Sequence, residues 1–211
     1  MTHLYLIRHA ETQGTGRYHG QRSDPTLSDI GRSQALALAK RLAEEGFLAI
    51  YTSPLERTRQ TAEAIAKHHS CPIETLDDLS EMDFGRWDGL SYEEINTLDA
   101  ESYGKWLDDP LNFSPPGGED LNRFHGRIKG AFDSIIARHS EGSVAAVSHG
   151  GAIRVMLCEA LGLPMTSFWC FRVEQASITV LEVVEPRTFF LDLHNDRCHL
   201  RSPDHKGNER D

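Results

Sequence analysis

The stretch Leu4-Tyr5-Leu6-Ile7-Arg8-His9-Ala10-Glu11-Thr12 decides how this chain is read. Its opening apolar run, led by the polar His3, is short enough for a strand and too continuous for one with a solvated face. Such a strand belongs inside a parallel sheet with helices on both sides. It stops at Arg8-His9. In open α/β sheets ligands bind just beyond the carboxyl ends of strands, so a guanidinium and an imidazole there would stand in the binding crevice. The pair suits an anion and a nucleophile.

The strand-then-helix pattern recurs downstream. Thr15 to Ser28, rich in Gly and polar residues, reads as a loop that could fold over the strand end. Ser28 is expected to cap a helix with Ile30, Ala35, Leu38 and Leu42 on its buried face and Gly46 at its C-terminal cap. A second strand, 47–52, leads into Ser53-Pro54, read as the cap and first turn of the next helix, which places Arg57 near that helix's N-terminus. A short extended piece at 72–76 precedes the loop carrying Glu81. From 90 to about 123 the pattern changes: a capping box at Ser91 and Glu94, then Trp106, Phe113 and the breaker run Ser114-Pro115-Pro116-Gly117-Gly118 read as an inserted helical cap. Leu121, Phe124, Ile128, Phe132 and Ile135 share one stripe of the following helix. A third buried strand at 144–148 breaks at His149-Gly150-Gly151. The segments 177–184 and 188–194 alternate like two edge strands joined by Glu185-Pro186-Arg187. The expected organisation is one domain over 1–200 with its cap at about 90–123, then a polar tail at 201–211.

Composition bounds the partners. The 211 residues, 39% hydrophobic, suffice for one substantial core. With 22 Lys+Arg against 32 Asp+Glu the net charge is -10, which argues against nucleic-acid or membrane-surface partners and leaves any anionic ligand to a local cationic pocket. No signal pattern and no apolar run of ~20 residues is visible, so a cytoplasmic location is expected. The four cysteines lack paired spacing and read as reduced thiols. His68-His69 and Cys198-His199 have no ligand spacing, so neither a metal nor another cofactor is expected. A small phosphate ester is the expected partner, with a homodimer left open.

Arg8-His9, Arg57 and His149 thus reach one sheet edge, with Glu81 between two of them in sequence. Guanidiniums grip phosphoryl oxygens through planar, bidentate hydrogen bonds and offset the charge that develops there. A neutral imidazole can attack phosphorus, so His9 is the candidate nucleophile and His149 a further donor, better so if protonated by the phosphoryl charge. Glu81 would protonate the departing alkoxide and then take a proton from water. Taken singly, each of these residues has an ordinary structural reading; their ordered combination is what points to a site. Arg86 and Arg154 read as packing or surface charge, and the Trp106–Phe113 region equally as cap core or as substrate wall.

At this point a family resemblance is carried by Arg8-His9-Ala10-Glu11-Thr12, Thr26-Leu27-Ser28-Asp29-Ile30-Gly31, Thr52-Ser53-Pro54-Leu55-Glu56-Arg57-Thr58, Phe84-Gly85-Arg86-Trp87-Asp88-Gly89 and Ser148-His149-Gly150-Gly151. In this order they resemble the histidine phosphatase superfamily, in the branch of cofactor-dependent phosphoglycerate mutases and their phosphatase relatives. The resemblance implies a three-layer α/β/α sandwich with a mostly parallel sheet, no metal and a phosphohistidine. By position it gives His9 as nucleophile, Arg8 and Arg57 as phosphate-pocket arginines, His149 as second histidine and Glu81 as acid/base, with Gly150 beside the phosphate. The chain departs from the family pattern at Ala10, where Gly is frequent, and at Gly14-Thr15, where Trp-Asn is frequent. Thr15, or the backbone near Gly20 and Gln21, would then supply the missing phosphate donor. The Glu81 context and the short cap resemble the phosphatases, with α-ribazole phosphatases and metal-independent phosphoserine phosphatases equally close. The expected function is therefore a metal-independent phosphomonoesterase. A phosphoglycerate mutase and a non-catalytic phosphate binder are the alternatives.

Overall fold

The computed structural model describes residues 1–184 and 187–201. Strand β1 (Thr2–Arg8) lies inside a six-stranded sheet with β2 (Phe47–Thr52), β3 (Ile73–Thr75), β4 (Gly142–Ser148), β5 (Ile178–Val184) and β6 (Thr188–Asp196), in the order β3-β2-β4-β1-β5-β6. Pairings among β1 to β4 are parallel, while β5 is antiparallel to both β1 and β6. The sheet is mostly parallel with one reversed strand.

Alternation along the strands sends side chains to two cores. Leu4, Leu6, Tyr51, Val144 and Ala146 face a layer built from α3 (Tyr92–Asp108), α4 (Leu121–Ala137) and α5 (Gly150–Ala160). Ile7, Ile50, Ala145 and Val147 face α1 (Asp29–Leu42) and α2 (Glu56–Ala66). Both faces are covered, which is why β1 and β4 read as continuous apolar runs. Each fully buried Leu or Ile removes enough apolar surface from water to contribute about 1.5–3 kcal/mol.

The Ser28 cap is present, its hydroxyl accepting from Gly31 N at 2.9 Å, and the capping box at Ser91 and Glu94 closes in both directions. Four expectations change. Ile30 is 60% exposed, because the buried face of α1 runs through Gly31, Ala35, Leu38, Ala39 and Leu42. That helix ends at Leu42, and Gly46 closes a separate turn before β2. Ser53 is not the N-cap of α2, which is Leu55 without a side-chain bond; the Ser53 hydroxyl accepts from Leu55 N at 3.3 Å and meets His149 Nε2 at 2.8 Å. Finally, β5 is an interior strand buried along most of its length, and of the two only β6 is an edge. Its alternation misled because β6 and β1 cover both sides of its ladder. Of the expected turn between them, Glu185 and Pro186 lie outside the described residues, as does the tail beyond Arg201.

The inserted segment carries α3, interrupted by non-helical backbone at Asp99 (φ -159°, ψ 58°), so it is two helical pieces rather than one short helix. The loop after β1 is tied to it. Arg17 forms two hydrogen bonds to the Glu94 carboxylate, and the Tyr18 and Tyr103 hydroxyls meet.

Gly31 packs directly on the backbone of Glu11, where a Cβ would collide with the carbonyl oxygen; at Gly126, on α4, a Cβ meets nothing within 4 Å. Gly31→Ala is expected to lower stability by about 2 kcal/mol or more, and Gly126→Ala to raise it by about 0.5–1 kcal/mol. Urea unfolding of the two variants checks both signs.

Candidate active site

The carboxyl ends of β1 and β4 lie side by side, with Arg8 in register with Ser148, so His9 and His149 follow from neighbouring strands. Their ring centroids are 5.3 Å apart. The His9 Nδ1 lies 2.8 Å from the Ala10 carbonyl oxygen. A carbonyl only accepts, so Nδ1 carries the proton and Nε2 keeps its lone pair. Both imidazoles are held well below the usual histidine range, first by burial and then by the Arg57 guanidinium, with Arg8 adding to the effect.

Arg57 is fully buried in the first turn of α2. Its Nη groups donate to the carbonyls of Ser23, His19 and Gly20, at 3.2, 3.0 and 2.9 Å. Arg8 donates through Nη1 to Val173 O at 2.6 Å. These bonds aim the guanidiniums and leave the buried Arg8 Nε, Arg57 Nε and His149 Nδ1 without a protein partner. Burial lowers both guanidinium pKa values, and Glu81 opposes that shift.

Glu81 arrives from the loop after β3 and is buried. Its carboxylate accepts from Met82 N and from Gly151 N, each at 3.0 Å, the second at the start of α5. A Cβ on Gly151 would occupy the place of Glu81 Oε1, so glycine there is a condition of the contact. From outside, Arg127 on α4 donates to the carbonyls of Asp78, Ser80 and Glu81 while gripping the buried Glu119 carboxylate with Nε and Nη2. This arginine fixes the loop.

A cavity of about 380 Å³ opens over these groups. Arg8, His9, Glu81, Gly150 and Thr15 line it, whereas Gly20 and Gln21 do not. Gly20 supplies a carbonyl to Arg57, and the Gln21 amide donates to the Glu81 carbonyl at 2.9 Å. Arg57 and His149 lie beneath the lining. Tyr18, Phe84, Trp106, Phe168 and Trp169 form an aromatic wall, so Trp106 is both cap core and cavity wall, while Phe113 is 42% exposed. Among the described residues, His3, Glu182 and Asp192 form a group whose ligand atoms lie within 4.8 Å of one another and could hold a metal ion. It stands at the other end of β1 from Arg8.

Over residues 4–197 the chain matches the histidine phosphatase superfamily, branch 1. The chain belongs to that family. Among its relatives is Phosphoserine phosphatase 1 of Hydrogenobacter thermophilus, 38% identical over 95% of both chains. The adenosylcobalamin/alpha-ribazole phosphatase of Salmonella typhimurium is 33% identical over 86% of this chain and 91% of its own. Among solved structures, Bacillus stearothermophilus YhfR superposes with a TM-score of 0.88 at 30% identity, covering 95% of this chain and 100% of its own. No described helix is long and apolar enough to cross a membrane.

Several residues of this histidine phosphatase's cavity escaped the sequence. Tyr18 and Trp169 are brought in by loops, and no local pattern marks them. Arg154 did leave a signal: it is the one charge between Ala152-Ile153 and Val155-Met156-Leu157, all fully buried. A lone guanidinium on such a helix, one turn past a strand end, belongs to a cavity more readily than to solvent.

Two outcomes follow from this geometry. Because the folded pKa of His9 and His149 lies below 6.5, the unfolded chain takes up protons that the folded rings refuse. Stability should therefore decline as pH falls below about 6.5, and histidine NMR titration should find both rings still neutral at pH 6. Arg127→Met, which strands the buried Glu119 charge, should cost about 3 kcal/mol in urea unfolding.

Proposed function

We propose that the protein is a phosphomonoesterase that hydrolyses a small phosphorylated metabolite through a phosphohistidine on His9. The observation that carries this reading is the His9 ring: Nδ1 is committed to the Ala10 carbonyl, which leaves Nε2 unprotonated on a side chain that lines the cavity. The buried Arg8 Nε–H, Arg57 Nε–H and His149 Nδ1 have no protein partner, an arrangement that suits a phosphoryl dianion.

In the first displacement, Nε2 forms a bond to phosphorus as the ester P–O bond breaks, and the Glu81 carboxyl gives its proton to the leaving oxygen. In the second, water attacks phosphorus, its proton passes to Glu81, the N–P bond breaks and phosphate leaves. Arg8, Arg57 and His149 offset the charge on the equatorial oxygens throughout. The phosphoryl dianion would also raise the His149 pKa, turning a ring that is neutral in the empty site toward the protonated donor. The Thr15 hydroxyl at the cavity wall donates to the Thr12 carbonyl at 3.0 Å and would have to turn from it to reach a phosphate, whereas Gly150 offers a backbone N–H at the start of α5. Gly20 and Gln21 act indirectly, through Arg57 and Glu81. The scheme calls on no metal.

The named relatives make phosphoserine and α-ribazole 5′-phosphate the first substrates to try. His9→Ala should lower phosphate release at least a thousandfold with the chelator EDTA present, while the unfolding midpoint stays in place. Glu81→Gln should cost about 10²–10⁴-fold for alkyl esters and far less for p-nitrophenyl phosphate, whose leaving group needs little protonation. A His9→Ala protein that keeps the wild-type rate overturns the mechanism, as does a wild type that passes phosphate only to a second hydroxyl.

A further inference from the structure

The helix that begins at the phosphoryl site carries a second cation one turn on. Gly150 and Gly151 open α5 beside Arg8 and Glu81, and Arg154 lies about 6 Å further along the axis at 1.5 Å per residue. Its guanidinium is fixed on three sides. Nε donates to the Phe171 carbonyl at 2.9 Å, and the plane stands 5.7 Å from the Phe168 ring and 5.3 Å from the Trp169 ring. Among the described residues its two Nη groups find no hydrogen-bond acceptor, and the side chain lines the cavity.

We infer that Arg154 is a specificity-determining residue, whose free Nη pair takes a carboxylate on the leaving alcohol of the substrate. The inference rests on the phosphatase reading above and deepens it. Arg8, Arg57 and His149 already surround the phosphoryl position, so a fork displaced by one turn along α5 meets a substituent a few atoms from phosphorus. Planar, bidentate donors held by stacking match a carboxylate. A leaving group made only of neutral rings and hydroxyls would take the Arg154 Nη groups out of water without a charged acceptor for them, at a cost to binding. A second phosphoryl group fits less well, because Glu174 also lines the cavity and opposes a dianion there. The same Glu174 suits an ammonium, so a phosphorylated amino acid satisfies both side chains.

The experiment compares kcat/KM for O-phosphoserine and for phosphoethanolamine, which differ only in the carboxylate, in the wild type, Arg154→Gln and Arg154→Lys. The wild type should prefer phosphoserine by about ten- to a hundredfold, the range expected for a charge-assisted hydrogen-bonded pair. Arg154→Gln should erase that preference while leaving phosphoethanolamine turnover and inhibition by inorganic phosphate within about threefold. Arg154→Lys should recover only part of it, since lysine keeps the charge and loses the fork. Equal losses on both substrates in Arg154→Gln would overturn the inference and place Arg154 on the phosphoryl group or in the loop scaffold. A wild type that hydrolyses both substrates equally would also overturn it. A wild type that hydrolyses neither of them, nor p-nitrophenyl phosphate, would remove the phosphatase reading itself, a distinct result.

Discussion

Burying two guanidiniums and two imidazoles together is the constraint on which this molecule depends. Each of Arg8, His9, Arg57 and His149 has its charged form disfavoured by burial, and each repels its neighbours when charged. The conflict is contained in two ways. The imidazoles stay neutral, and the guanidiniums are tied to backbone carbonyls at 19, 20, 23 and 173. Those carbonyls come from segments far apart in the chain, so the donors are rigid before any ligand arrives. Fixed dipoles of this kind stabilise developing charge without reorganising at the moment of reaction.

The carboxylate is governed by the opposite requirement, closeness. Glu81 must reach the start of α5, and Gly151 permits it to do so. Arg127 holds the loop from behind by three carbonyls, using the ion pair with Glu119 to keep its own charge balanced. The acid/base candidate and the cationic cluster share a support as well as a cavity, since the loop whose carbonyls hold Arg57 also donates through Gln21 to the Glu81 carbonyl.

Legibility in the sequence followed the range of the interactions. β1, β4 and the stripe of α4 were readable because their apolar patterns reflect burial of contiguous residues. The groups at strand ends were readable because a strand's direction places its last residue. Ser53 shows the limit: a Ser-Pro pair ahead of a helix looks like a cap locally, yet its hydroxyl serves His149, 96 residues away. β5 alternates like an edge strand although it is interior, since sheet position is settled by strand pairing rather than by the strand's own residues. Arg17, Tyr18 and Trp169 reach the cavity through loop geometry that no local period encodes, and there they meet Arg154 from α5.

The reversed strand β5 has a consequence for how the protein comes into being. The segment just before it supplies Val173 O to Arg8 and Phe171 O to Arg154, and β5 then zips along β1. A chain emerging from the ribosome would thus expose β1 and its arginine long before the residues that aim that arginine exist. β1 waits for a strand that follows it at long range in the chain. The anion pocket is completed only when residues 171–184 have docked, so the ability to hold an anion depends on that late segment being in place.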